Sequence, residues 1–214
     1  MRSVLISALC ATVALATRGV DYSTLQSVDT HKCWKNTGLD FAIPRAYKSF
    51  GAFDANGPRN VANARAAGFQ YVDIYMFPCR GKDAGSQVAD LVNQMGNSNY
   101  GMIWLDIETN PSDGCSWNGH SADSNCAYVN ELIQSIKNHG KVPGVYSNYY
   151  MWESIMGHAL NCGGHNGTPL WYAHYDNSMS FSDFHSFGGW SKPNMKQYAG
   201  DLTLCGAGVD FSWY

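Results

Sequence analysis

Gly101-Met-Ile-Trp-Leu-Asp106-Ile-Glu108-Thr109 is an apolar run with two carboxylates set into its far end. Successive strand residues alternate faces, so Asp106 and Glu108, two positions apart, project to the same side. Met102, Ile103, Trp104 and Leu105 leave neither face polar, which marks a central strand covered on both sides, as in parallel sheets. Two acids on one covered face are expensive unless each is paired or used. The segment therefore predicts a parallel α/β architecture whose chemistry lies at a strand end.

The same pattern recurs outward from this strand. Short β-branched or aromatic runs predict strands at 18–23, 40–47, 69–77, 101–108, 142–148, 169–175, 194–199 and 207–213. Helical periodicity falls between them at 58–67, 85–95, 121–139 and 150–158, then ceases. The clearest helix is Ala122 to His139, with Gly140 as its stop. Strands alternating with helices imply βα units. Eight strands with fewer helices predict an irregular TIM-like α/β barrel in one domain, 17–214.

Further acids stand in equivalent places: Asp21 in Gly19-Val-Asp21-Tyr, Asp73 in Tyr71-Val-Asp73-Ile, and Asp210 in Gly208-Val-Asp210-Phe. A barrel with its site at the C-terminal strand ends gathers such acids into one mouth. For Asp73 alone, an outward-facing surface acid is an equally good reading. Crowded carboxylates hold their protons unequally, so that one can donate a proton while another stays ionised, as glycoside hydrolysis requires. An oxygen-only cluster that takes Ca²⁺ or Mg²⁺ is the competing reading. No cofactor motif is present: Gly163-Gly164 and Gly188-Gly189 mark loops, and there is no G-x-S-x-G nucleophile turn.

Composition narrows the class. The 214 residues are 45% hydrophobic and only 14% charged, with net charge −3, which gives no field for a phosphate backbone and argues against nucleic acid as partner. Seven Trp, thirteen Tyr and nine Phe suit sugar-stacking faces as well as a core. Tyr75, Tyr146, Trp171 and Tyr172 are the best placed of these at strand ends. His174 beside the sixth predicted strand reads either as a cleft residue or as a structural one.

Met1-Arg2-Ser3, the apolar run from Val4, and Ala14-Leu15-Ala16 predict a secretory signal peptide over 1–16 rather than a membrane span. Its removal takes away Cys10 and leaves Cys33, Cys79, Cys115, Cys126, Cys162 and Cys205. An even count in an oxidising compartment predicts up to three disulfides; only Cys115 with Cys126, which flank one polar loop, is singled out. Asn166-Gly-Thr168 is a glycosylation sequon consistent with export.

Taken in order, Gly19-Val-Asp-Tyr-Ser23, Trp104-Leu-Asp-Ile-Glu108, the segments from Gly144 to Trp152 and from Pro169 to Asp176, and the terminal Gln197-Tyr to Tyr214 resemble glycoside hydrolase family 25, its nematode and protist members most of all. The resemblance implies a lysozyme that cleaves the β-1,4 bond between N-acetylmuramic acid and N-acetylglucosamine of bacterial peptidoglycan, for defence or digestion. It implies Glu108 as general acid, Asp106 as the partner that stabilises positive charge or positions the N-acetyl group, and Asp21 and Asp210 as outer acids of the cleft. Asp73 departs from the family pattern and stands as a candidate sugar contact. No metal or cofactor is expected, nor a membrane partner; a monomer acting outside the cell or in a lysosomal or phagosomal lumen is. A chitinase-type hydrolase is the weaker alternative, since the longer acidic run of family 18 meets Trp104 and Met102 here. A catalytically idle sugar-binding relative is the other.

Overall fold

The computed structural model describes residues 16–165 and 167–214; the expected signal segment and Asn166 lie outside these, apart from Ala16. Ten strands and five helices follow in the order β1 (Arg18–Tyr22), α1 (Val28–Asn36), β2 (Phe41–Lys48), β3 (Ala52–Phe53), α2 (Asn56–Ala66), β4 (Tyr71–Val72), β5 (Ile74–Met76), α3 (Ala84–Met95), β6 (Met102–Asp106), α4 (Ala122–Asn138), β7 (Val142–Ser147), α5 (Tyr149–Met156), β8 (Leu170–Ala173), β9 (Met195–Leu204) and β10 (Ala207–Trp213). Strands β1, β2 and β5 to β10 close into an eight-stranded barrel, because β1 pairs with both β2 and β10. β10 runs antiparallel to both its neighbours, and the other barrel pairings are parallel. The expected irregular α/β barrel is the observed fold.

Two apolar layers hold it. Between strands and helices lies the main core, which includes Val20, Trp34, Val88, Leu105, Val129 and Trp152, all buried. Inside the barrel sits a smaller plug of Phe41, Ile43, Trp104, Trp171 and Met195. Its bulky rings need room. A Cβ on Gly144, the register partner of Trp104, would lie 2.4 Å from the Trp104 ring, so β7 approaches there only as glycine. The plug separates two barrel ends.

Local chemistry accounts for most helix limits. Ser27, Asp83, Ser121 and Asn148 each accept a hydrogen bond from a first-turn backbone N–H of α1, α3, α4 and α5. Helix α1 escapes the sequence patterns because it is short and mostly polar, burying only His31 and Trp34. After α5 no helix follows among the described residues; an irregular segment from His174 to Asn194 joins β8 to β9. That segment becomes one wall of the site.

Two expectations need correction. The stretch expected as one strand over 69–77 is broken at Asp73 into β4 and β5. The Cys115–Cys126 pair does not form: the bridges are Cys33–Cys205, Cys79–Cys115 and Cys126–Cys162. Cys126 lies within α4, which packs on α5, so its sulfur meets the loop that follows α5. Cys115 instead meets Cys79, just beyond β5. Proximity in sequence gave way to helix orientation.

Candidate active site

The barrel mouth is built from strand ends. Asp21 faces Asp210 in the register between β1 and β10, and Asp106, the last residue of β6, pairs with Tyr146 on β7. Glu108 stands just past β6, where the chain is pinned from three sides. Ile107 N–H donates to Tyr146 O (2.9 Å), Ser147 Oγ donates to Ile107 O (2.7 Å), and Trp117 Nε1 donates to Glu108 O (2.7 Å). The side chain is thereby held over the opening. Asp21, Asp106, Glu108 and Asp210 share the lining of one chamber of about 310 Å³ with Tyr75, Tyr146, Tyr175 and Trp171.

Gln197 on β9 organises this cluster. Its Nε2 donates to Asp21 Oδ1 (2.9 Å) and Asp210 Oδ2 (3.3 Å), while its Oε1 accepts from Tyr146 Oη (2.6 Å) and Tyr175 Oη (2.9 Å). Asp210 also accepts from the backbone N–H of Asp201 at 2.7 Å. Asp106 differs: its Oδ1 is buried and has no hydrogen-bond partner. A buried carboxyl oxygen without a donor is an unmet demand.

Burial raises the pKa of all four acids, and repulsion within the cluster adds to it for Asp21, Asp106 and Glu108. Asp106 is pushed well above the ordinary carboxylate value by burial, then by Glu108 and Asp21. Asp21 is also pushed well above that value, by burial and then Asp210, against the opposing hydrogen bond from Gln197. Glu108 is raised by burial and then Asp210, and Asp210 by burial above all. Burial and repulsion together oppose ionisation of the whole group at once. It is a store of carboxyl protons facing a cavity.

A second, larger groove of about 790 Å³ opens from the chamber and shares Glu108, Tyr146 and Tyr175 with it. Tyr149, Tyr150, Tyr172, His174 and His185 form its walls. Glu108 thus stands where an acidic chamber meets a tyrosine-lined groove.

The aromatic candidates divide. Tyr75 and Tyr146 line the chamber half-buried. Trp171 is its floor, 2% exposed, edge-on to Trp104 and Tyr146, with its Nε1 on Ser212 Oγ (2.9 Å). Tyr172 belongs to the groove, with its hydroxyl donating to Asp183 (3.0 Å). Asp73 is not in the mouth. It lies at the opposite end of the barrel, where its carboxylate accepts from Met102 N–H (2.8 Å) and Trp104 Nε1 (3.0 Å) and fastens the start of β6 and the plug. A break between two short strands turned it towards the strand origins.

Sequence reasoning passed over the roles of Gln197, Tyr175 and Arg45. Gln197 and Tyr175 lie in segments already singled out, but a neutral amide in a strand carries no charge signal. Arg45 lines the chamber with its Nε on Asp54 (2.9 Å), which is 1% exposed.

A closed α/β barrel with a carboxylate cluster at its strand ends and tyrosines beside it defines a glycoside hydrolase of the barrel type. The family model for lysozyme-like protein 1 matches residues 12–198. Probable GH family 25 lysozyme 2 of Dictyostelium discoideum is 47% identical over 206 residues, covering 94% of this chain and 92% of its own. Lysozyme-like protein 5 of Caenorhabditis elegans is 39% identical over 95% of this chain and 94% of its own. Among solved structures, a family GH25 lysozyme from Aspergillus fumigatus superposes with a TM-score of 0.76 at 20% identity, covering 94% of each chain, which speaks for the fold alone. The chain belongs to the glycoside hydrolase family 25 lysozymes.

Proposed function

We propose that the chain is an exported lysozyme that hydrolyses the β-1,4 bond between N-acetylmuramic acid and N-acetylglucosamine in bacterial peptidoglycan, with Glu108 as general acid. The observation that carries this reading is the position of Glu108 on the boundary between the acid chamber and the tyrosine groove, with its pKa raised by burial and by Asp210. A glycan lying along the groove brings its bridging oxygen over that boundary. A carboxyl that keeps its proton into the mildly acidic range can protonate that oxygen as the bond to C1 breaks. The ring left behind carries positive charge, and the carboxylate cluster beneath stabilises it electrostatically. A water oxygen then joins C1, and its proton returns to the cluster.

Asp106 has a separate part. Its buried, unpartnered Oδ1 is an acceptor waiting for a donor, and the N–H of an acetamido group on the sugar is a donor of the right kind. This fits the expected role in positioning the N-acetyl group. Asp21 and Asp210, each bonded to Gln197, hold sugar hydroxyls and set the protonation of the cluster. We place the protein outside the cell or in a lysosomal or phagosomal lumen, as a monomer serving defence or digestion of bacteria; the three disulfides favour an oxidising compartment.

The test is release of reducing sugar from peptidoglycan and, separately, from chitin. Wild-type protein should act on peptidoglycan, and Glu108→Gln should lose two or more orders of magnitude, roughly, while its thermal unfolding stays cooperative. Greater release from chitin would favour a chitinase, release from neither a sugar-binding relative. A folded Glu108→Gln protein with full activity would remove Glu108 from the role.

A further inference from the structure

The irregular segment after β8 is fastened in an unusual way. Lys196 on β9 is fully buried, and its Nζ donates to Asp176 Oδ2 (2.8 Å), Ser180 O (3.0 Å) and Asp183 Oδ1 (3.0 Å). Asp183 passes this anchorage on: its other oxygen takes the Tyr172 hydroxyl and Nδ1 of His174. Hydrogen bonds from Lys196, His174 and Tyr172 hold the Asp183 carboxyl down at about 2, so it remains an anionic acceptor throughout the working range. An exposed histidine in the groove wall is therefore braced by a buried cation through an aspartate. Bracing one ring nitrogen by a carboxylate is how proteins orient an imidazole whose other nitrogen meets a ligand.

The two cavities differ in charge. The chamber carries four carboxylates, and its Arg45 is committed to Asp54. In the groove, apart from Glu108 at the boundary, the acid on the wall is Asp183, already engaged by Lys196, Tyr172 and His174. Its nitrogen bases are His174 and His185, both exposed. His185 leans edge-on toward Tyr149, with ring centres 6.4 Å apart, and has no hydrogen-bond partner among the described contacts. Nε2 of His174 has none either. Asp176 lies 3.7 Å from His174 Nδ1 but, like Asp183, is bonded to the buried Lys196, so the groove is better suited to an anion than the chamber, and it has more than twice the chamber's volume.

The proposed substrate carries anions of one kind. The muramyl sugar bears a lactyl group extended by a peptide with free carboxylates, whereas its neighbour in the glycan bears none. We propose that His174 and His185 form a subsite for this acidic peptide branch, so that the enzyme takes peptide-bearing glycan in preference to bare glycan. The inference rests on the lysozyme reading and adds to it which part of the polymer the outer groove recognises. Nδ1 of His174 is turned to Asp183, so its Nε2 donates only from the imidazolium; in that form both rings give charge-assisted bonds to carboxylates, and the braced position of His174 sets which sugar of the repeat falls beneath Glu108.

The experiment compares kcat/KM on three soluble probes: muramyl oligosaccharides carrying the peptide, the same with the peptide carboxylates amidated, and the same stripped of peptide by an amidase. Wild-type protein should prefer the first by roughly tenfold over the other two. In His174→Ala/His185→Ala the preference should fall to about one, mainly through a higher KM on the first probe. The single variant His185→Ala, at an exposed residue without hydrogen bonds, should give an intermediate ratio and guards against misfolding of the double variant. Equal wild-type rates on all three probes, or a double variant that keeps the preference, would overturn the subsite and leave the lysozyme reading standing. Wild-type protein that cleaves none of the probes would overturn the reading beneath it.

Discussion

Gln197 Nε2 donates to Asp21 Oδ1 at 2.9 Å, joining the ninth strand to the first across 176 positions of sequence. This bond and its companion to Asp210 place an amide, a group that neither gains nor loses charge, between two carboxylates that would otherwise repel at close range. Gln197 therefore favours the ionised form of Asp21 against burial and the repulsion of Asp210.

Gln197→Glu should make that dependence visible. It replaces the donor with an oxygen 2.9 Å from Asp21 Oδ1, so one more proton must be held to avoid repulsion. At neutral pH the variant should lose about 2–4 kcal/mol of stability and recover much of it below about pH 4. The alkaline limb of its pH–rate profile should move up by about one unit, because a fifth acid raises Glu108 further. Denaturant unfolding at pH 7 and pH 4, with a rate profile, measures both.

Asp106→Asn should do the opposite to stability. The folded chain holds a proton on Asp106 to higher pH than the unfolded chain does, since burial, Glu108 and Asp21 raise its pKa. Ionisation therefore weakens the fold as pH rises above the ordinary carboxylate range of about 4. Removing the charge should stabilise the protein by about 1–3 kcal/mol at pH 7, with the difference vanishing at low pH, while activity falls strongly. A neutral-pH melting temperature at or below wild type would contradict the assignment of Asp106 as a buried, unpaired acid.

Activity on bacterial walls should be greatest at mildly acidic pH. A raised Glu108 pKa keeps the donor protonated there and loses it as pH rises. The net charge of −3, one more negative without Arg2, opposes binding to an anionic wall. Added salt should weaken the charge effect and leave the catalytic limb in place on a small neutral oligosaccharide. An alkaline optimum on both substrates, at either ionic strength, would refute the acid role of Glu108.

The six described cysteines should give no free thiol on denaturation. Removing Cys33–Cys205, which closes 172 residues, should destabilise most, by about 5 kcal/mol in chain-entropy accounting, against about 4 for each of the two 36-residue loops. Paired Cys→Ala substitutions and chemical unfolding rank them. A smaller effect for the long loop would show that native strain or residual unfolded structure outweighs loop closure.

The pairing of Asp106 with Glu108 on one face follows from strand alternation, and the covered character of their strand follows from its four apolar neighbours. Both are properties of consecutive residues, so they were legible in the sequence, as were the eight barrel strands, four of the five helices and the gathering of Asp21 and Asp210 at the same mouth. The short polar helix α1 was not, because two buried side chains in nine residues make no clear stripe. Tertiary structure alone decided the rest. Which cysteine met which depended on the direction in which α4 leaves the barrel. Asp73 was sent to the far end of the barrel by a break in its strand. Gln197 became the hub of the acids only once barrel closure set β1 beside β10, and His174 became a braced groove residue only once Lys196 was buried beneath it. Alternation and periodicity report which side of an element a residue occupies; they hold no information on what stands opposite, and that is fixed by closure of the sheet and by packing between distant segments.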